Sequence, residues 1–332
     1  MTDKPLVSVV IPTYNRSSVI GRTIENVLKQ TYPRIEVVII DDGSTDDTQS
    51  VLANLGNKIR SMRQNNAGPA AARNRGIELA EGEIIAFQDS DDLWDLTKIE
   101  RQVSVLQRAG NTVPCCLCNT TLRFADGRVT TSFDNAPIHP PYDEGIWTNV
   151  AEVLTTRFIL FNQAVAIRRS VFAKTGVFDE SLKFLEDYEL PLRLALEGPW
   201  GFIRAPLVTW QQGSAHSWSQ KAGEEEICTK ECEVQLRQNI LRKAKEQGGD
   251  SNLVELMERH LRRVGRELRT LRMKRSTSSG SRLLGNASSQ LDRLGRALDR
   301  RLPWYPKMKA QPIPPSSAVG ARTTHDVAMG AS

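Results

Sequence analysis

Three short runs of β-branched and apolar residues set the plan of the first part of the chain: Leu6–Ile11, Ile35–Ile40 and Ile84–Phe87. Each is nearly continuous rather than alternating, as in a strand covered on both faces. Between the first two, Val19-Ile20, Ile24, Val27 and Leu28 fall at helical spacing. Further helices are expected from about Thr45 to Leu55 and from Ala70 to Ala80, with a short strand within Lys58–Arg63. This alternation defines an α/β fold with a mostly parallel sheet flanked by helices. Ligands of such sheets bind beyond the carboxyl ends of the strands. The polar turns fall there: Pro12-Thr13-Tyr14-Asn15, Asp41-Asp42-Gly43-Ser44 and Asp89-Ser90-Asp91-Asp92.

The last turn is the most charged. Three carboxylates in four residues repel one another unless a cation sits among them. Hard oxygen ligands suit Mg²⁺ or Mn²⁺, which bridge to phosphates. The competing reading is an acidic turn capping a helix that starts near Trp94. No G-x-G-x-x-G follows the first strand, and no G-x-x-x-x-G-K-[ST] occurs. A dinucleotide dehydrogenase and a P-loop NTPase are therefore disfavoured. Without a glycine nest, a bound diphosphate needs a metal held by carboxylates.

Net charge is +5 over 332 residues, yet Glu255–Arg275 alone carries eight Arg or Lys against three Glu. The N-terminal half is near neutral, which argues against nucleic acid as a partner. No apolar run reaches the ~18 residues of a membrane span. Met1-Thr2-Asp3-Lys4 leads into a strand without a signal-peptide pattern. The expectation is a cytoplasmic protein, with peripheral contact to the cytoplasmic membrane face as an option. Five Cys, an odd count, fit a reducing compartment. Cys115, Cys116 and Cys118 read as core residues. A zinc site joining them to Cys228 and Cys232 lacks paired C-x-x-C spacing.

Beyond Val113 the order is less regular. Strands are expected over Val113–Leu122, Arg128–Ser132, Asn162–Arg168 and Leu207–Gln211. A helix is led by Phe184-Leu185-Glu186-Asp187-Tyr188, and a polar loop, Gln212–Ser219, contains His216. Glu224–Gln247 reads as a charged helix. Leu253, Met257, Leu261, Val264, Leu268 and Leu271 then mark an apolar stripe on a basic helix. That stripe could pack on the catalytic domain, pair with a second copy, or lie on an anionic membrane. The expected division is 1–220 as one domain (with halves 5–112 and 113–220), 221–310 as a basic helical extension, and 311–332 as a disordered tail rich in Pro, Ser, Ala and Gly.

Five segments resemble family 2 glycosyltransferases: Val7–Arg16, Asp41–Asp46, Gly68–Ile77, Phe87–Trp94, and Gly176–Leu182 followed by Glu186–Leu190. They come in the family's order and cover roughly residues 5–215. Leu96 departs from the pattern, where relatives often have Pro. The resemblance implies a GT-A fold, that of nucleotide-diphospho-sugar transferases, with 5–112 as the nucleotide-sugar half and 113–220 as the acceptor half. It implies inverting transfer from a nucleotide-diphosphate sugar, most commonly a UDP-sugar, to a glycan or lipid-linked hydroxyl in surface polysaccharide, lipopolysaccharide or glycoconjugate synthesis. The implied cofactor is a divalent cation, Mn²⁺ or Mg²⁺. By the same likeness, Asp91 touches the cation, Asp89 faces the cation, ribose or donor sugar, and Asp42 meets the base. Pro12, Thr13 and Tyr14 line the base and ribose, and Asp187 is the general base. His216 sits where some relatives bring a group to the metal or diphosphate.

Plainer roles compete with these. Asp42 could cap the helix near Thr45, Glu186 and Asp187 could serve a helix dipole, Tyr14 could simply pack, and a loop histidine is usually solvated. Arg73 and Arg75 could meet the diphosphate or pair with nearby acids. A sugar-phosphate nucleotidyltransferase would use the same cation but has no use for Asp187. A non-catalytic glycan- or membrane-binding scaffold on the same fold would use neither.

Overall fold

A computed structural model describes residues 4–159, 161–211, 225–277 and 306–315. Its strands are β1 (Val7–Thr13), β2 (Ile35–Asp41), β3 (Arg60–Arg63), β4 (Ile84–Phe87), β5 (Leu93–Trp94), β6 (Cys115–Arg123), β7 (Val129–Thr131), β8 (Glu144–Trp147), β9 (Val165–Arg168), β10 (Trp200–Gln211) and β11 (Ala310–Pro312). They form one sheet in the order β11-β8-β10-β6-β9-β4-β1-β2-β3, with β5 on β10 and β7 on β6. Pairing is parallel through β3-β2-β1-β4 and between β6 and β10. β9 runs antiparallel between β4 and β6. The sheet is thus parallel through the first half of the chain and mixed in the second. Helices flank it, and β1, β2 and β4 are buried along almost their whole length.

Several boundaries differ from the sequence expectation for local reasons. The helix after β2 spans only Thr48–Ala53. The preceding turn is committed elsewhere: Asp46 accepts from the backbone N–H groups of Ser17 and Thr48 at 3.0 Å each. No helix starts at Trp94. Its N–H donates to Asn26 Oδ1 (2.8 Å), its carbonyl accepts from Asn26 Nδ2 (3.0 Å), and it pairs with Val208 of β10. The helix begins at Lys98 instead, so the acidic turn leads into a strand rather than capping a helix. β10 is longer than expected. Its first part pairs with β8 and its last part with β5, which brings Gln211 back beside Asp92.

The C-terminal helices, Glu226–Glu246 and Ser251–Thr277, pack on each other and on the helices Val150–Thr156 and Glu186–Ala195. Met257, Val264 and Leu268 are buried, as are Leu236, Ile240 and Ala244 of the preceding helix. Of the three readings of the apolar stripe, packing on the domain is the one observed. The tail boundary at 311 does not hold. Gln311 and Pro312 pair with Ile146 and Gly145 of β8, and Met308 and Ile313 pack against the core. Asn149 fixes this segment through Lys307 and Lys309. The tail beyond 315 lies outside the described residues.

Candidate active site

The β1 and β2 turns are tied to each other. Asn15 takes a left-handed backbone (φ 53°), which asparagine tolerates. Its N–H donates to Ser44 Oγ (2.9 Å) and its Oδ1 accepts from Thr45 N–H (2.7 Å). Thr13 is buried, and its hydroxyl has no hydrogen-bond partner among the described residues. Tyr14 beside it is 44% exposed. A buried orphan hydroxyl next to an exposed ring is suited to a polar, planar ligand.

Asp42 does not cap the helix near Thr45. Its carboxylate accepts from Gln64 Nε2 (2.8 Å) and from the backbone N–H groups of Ala67 (2.9 Å) and Gly68 (2.8 Å). It therefore shapes the loop that leads into the helix Pro69–Leu79. Asp41 is also fully buried; it accepts from Ser44 N–H at 2.9 Å and from Gln49.

The acidic turn follows β4 directly. Asp89 Oδ1 accepts from Arg73 Nη2 at 3.0 Å, while Asp91 lies 4.0 Å from Arg16. Burial and then the neighbouring Asp89 push the Asp91 carboxyl above its usual range. Asp92 is pushed well above it by burial, Asp89 and Asp91, and its Oδ2 is buried without a partner among the described residues. This excess of carboxylate over cation suits a divalent ion in kind. Asp89 and Asp91 offer two hard oxygen ligands. The described residues contain no cluster of three or more potential ligands, so solvent or substrate oxygens would have to complete the shell. His216 lies outside the described residues.

Asp187 opens the helix Glu186–Ala195. Burial, reinforced by Glu186 and Asp89 and opposed by Arg73, raises its carboxyl to about 7. The residue before the helix, Leu185, has a left-handed backbone (φ 68°) that costs a leucine on the order of 1–3 kcal/mol. Such strain persists only where its surroundings enforce it, and here it lies two residues before the proposed base.

Arg73 joins the two acidic segments. Buried in the helix Pro69–Leu79, it donates from Nη1 to Glu186 Oε1 and from Nη2 to Asp89 Oδ1, both at 3.0 Å. Its guanidinium lies 5.5 Å from the Phe178 ring centre, and Phe178 meets Phe87 edge-on at 5.2 Å. Asn74 holds the Gly176–Leu182 segment by accepting from Phe178 N–H (2.9 Å) and donating to its carbonyl (3.0 Å). Of the two arginines, Arg73 pairs with acids of the site, while exposed Arg75 pairs with Glu78. Sequence reasoning gave Asn74 no role; the signal was its position next to Arg73 in the third motif.

Against the helix Glu186–Ala195, Arg237 of Glu226–Glu246 donates to the Tyr188 hydroxyl (2.9 Å) and also to the Thr155 carbonyl (3.0 Å). Tyr188 in turn donates to the Leu154 carbonyl at 2.9 Å.

Residues 8–171 match the family model for glycosyl transferase family 2. The chain is 32% identical over 202 residues to the UDP-Glc:alpha-D-GlcNAc-diphosphoundecaprenol beta-1,3-glucosyltransferase WfaP of Escherichia coli, covering 58% of this chain and 71% of WfaP. It is 35% identical over 158 residues to the putative teichuronic acid biosynthesis glycosyltransferase TuaG of Bacillus subtilis, covering 46% of this chain and 61% of TuaG. It is 32% identical to the uncharacterized glycosyltransferase RT0329 of Rickettsia typhi, over 57% of this chain and 58% of that protein's length. Among solved structures, S. aureus TarS 1–349 in complex with UDP matches with a TM-score of 0.52 and 21% identity, over 71% of this chain and 65% of that TarS chain. The mannosyltransferase PcManGT from Pyrobaculum calidifontis, in complex with GDP-Man and Mn²⁺, matches with a TM-score of 0.52 and 22% identity, over 90% of this chain and 81% of its own. These structures carry the fold alone, and that fold is GT-A. WfaP, matched over most of its length, carries the descent: the chain belongs to glycosyl transferase family 2.

Proposed function

We propose that the protein transfers a sugar, with inversion, from a nucleotide-diphosphate donor to an acceptor hydroxyl in the synthesis of a cell-surface polysaccharide. The observation that carries this reading is the Arg73 bridge, which joins Asp89 of the donor-side turn to Glu186 beside Asp187. Pro12, Thr13 and Tyr14 line the base and ribose, and Asp42 holds the loop around them with one acceptor position to spare. Asp89 and Asp91 would hold Mn²⁺ or Mg²⁺, which when bound compensates charge on the diphosphate.

Asp187 takes the proton of the attacking hydroxyl. A carboxyl raised to about 7 is a stronger base than an ordinary aspartate and is still substantially ionised at neutral pH. TarS has been captured with UDP-GlcNAc and PcManGT with GDP-Man, while the name of WfaP specifies UDP-Glc and a diphosphoundecaprenol-linked sugar. A UDP-sugar donor and a lipid-linked acceptor are accordingly the first to test.

Calorimetry with UDP and Mn²⁺, alongside a turnover assay, tests the assignment. Asp187→Asn should retain nucleotide binding and lose transfer by on the order of 100-fold or more. Asp91→Asn should weaken both. Full transfer by Asp187→Asn would remove the base from this scheme.

A further inference from the structure

We propose that the outer face of the helix Ser251–Thr277 is a docking surface for an anionic lipid bilayer. At 3.6 residues per turn, Arg259, Arg262, Arg266, Arg269 and Met273 fall within an arc of about 80°. All five are exposed, Met273 at 69%. The buried residues Met257, His260, Val264 and Leu268 centre on the opposite side. One face is thus consumed by packing against the protein, and the other presents a straight row about 21 Å long.

The charge on this row is only partly cancelled. Arg259 pairs with Glu255 at 2.9 Å, and Arg262 reaches Glu258 at 3.5 Å, a carboxylate it shares with Lys245. Arg272, at the edge of the row, pairs with Glu231. Arg266 and Arg269 have no ion pair among the described residues. The row therefore grows more cationic toward its C-terminal end, where Met273 adds an exposed apolar group.

A flat array of arginines ending in an exposed thioether fits a headgroup plane better than a nucleic-acid groove. A groove would set phosphates along the length of the helix, and here Glu255 lies in line with the row at its N-terminal end and Glu258 borders it. The apolar stripe is already buried, so the helix cannot bind by sinking that face into the acyl region, as a free amphipathic helix would. Attraction must be electrostatic, reversible and salt-sensitive. This goes beyond the transfer reading and does not depend on it. If the acceptor is lipid-linked, the surface would hold the enzyme where that acceptor resides.

The test is co-sedimentation of the full chain with vesicles of phosphatidylcholine, alone or mixed with phosphatidylglycerol. The protein should pellet with the anionic vesicles at low salt and be released as salt rises. Each basic residue near such a surface strengthens binding by about fivefold. The triple variant Arg262→Gln/Arg266→Gln/Arg269→Gln should therefore partition about 100-fold more weakly, with an unchanged melting temperature and unchanged UDP binding. Equal binding to neutral vesicles, an unaffected triple variant, or preference of the wild type for duplex DNA over anionic vesicles at the same salt would each overturn the proposal.

Discussion

Arg73 is the side chain on which the proposed chemistry most depends. Its two amino groups each satisfy a different acid, so its removal leaves Glu186 buried without its cation. A lysine has one ammonium and no fork, and it cannot hold both carboxylates in the same geometry. Arg73→Lys should lower turnover by roughly 10–100-fold while leaving UDP affinity within a few-fold, as kcat and KM measurements would reveal. Asp187 yields a second prediction, about pH. Its carboxyl is held at about 7 when folded against an ordinary value of 3.8, so the native state binds the proton more tightly than the unfolded one. Its contribution to stability therefore declines as pH rises from about 4 to about 7, and the full penalty is present above that. Asp187→Asn cannot ionise. In metal-free buffer it should melt a few degrees above wild type at about pH 8, with the gap closing as pH falls to about 5. A gap that does not change with pH would contradict the assigned ionisation.

At the scale of elements, the C-terminal helices are bonded to the helix Glu186–Ala195 that carries Asp187. Arg237 ties them to the Tyr188 hydroxyl and the Thr155 carbonyl, and Glu233 and Lys230 complete a buried ionic chain. Arg237→Ala leaves Glu233 short of a cation and should destabilise the fold by about 3–5 kcal/mol in chemical denaturation. Tyr188→Phe removes only the hydroxyl and should cost about 1 kcal/mol. What was legible beforehand follows the same division. β1, β2 and β4 are readable because each is a buried apolar run, and Asp89 and Asp91 because carboxylates after such a run have few structural uses. The partners of Arg73 lie 16 and 113 positions away, a pairing that no local pattern encodes. β5 has two residues and β11 has three, one of them proline, so neither carries a readable period. Asp42 was readable as important, but its hold on Ala67 and Gly68 depends on how β2 and β3 align.

For the molecule as a whole, the two borders of the sheet are treated differently. At one, β3 carries Arg60 and Arg63, charges that discourage another strand from adding. At the other, β8 is covered by Ala310–Pro312, with Pro314 and Pro315 just beyond. Proline has no N–H to offer, so this short segment accepts β8 on one side and gives little purchase on the other. It works as a stopper. A chain ending at residue 305 would bare the unused hydrogen-bonding groups of β8, and light scattering should then report association that grows with protein concentration, while the full-length chain stays monodisperse.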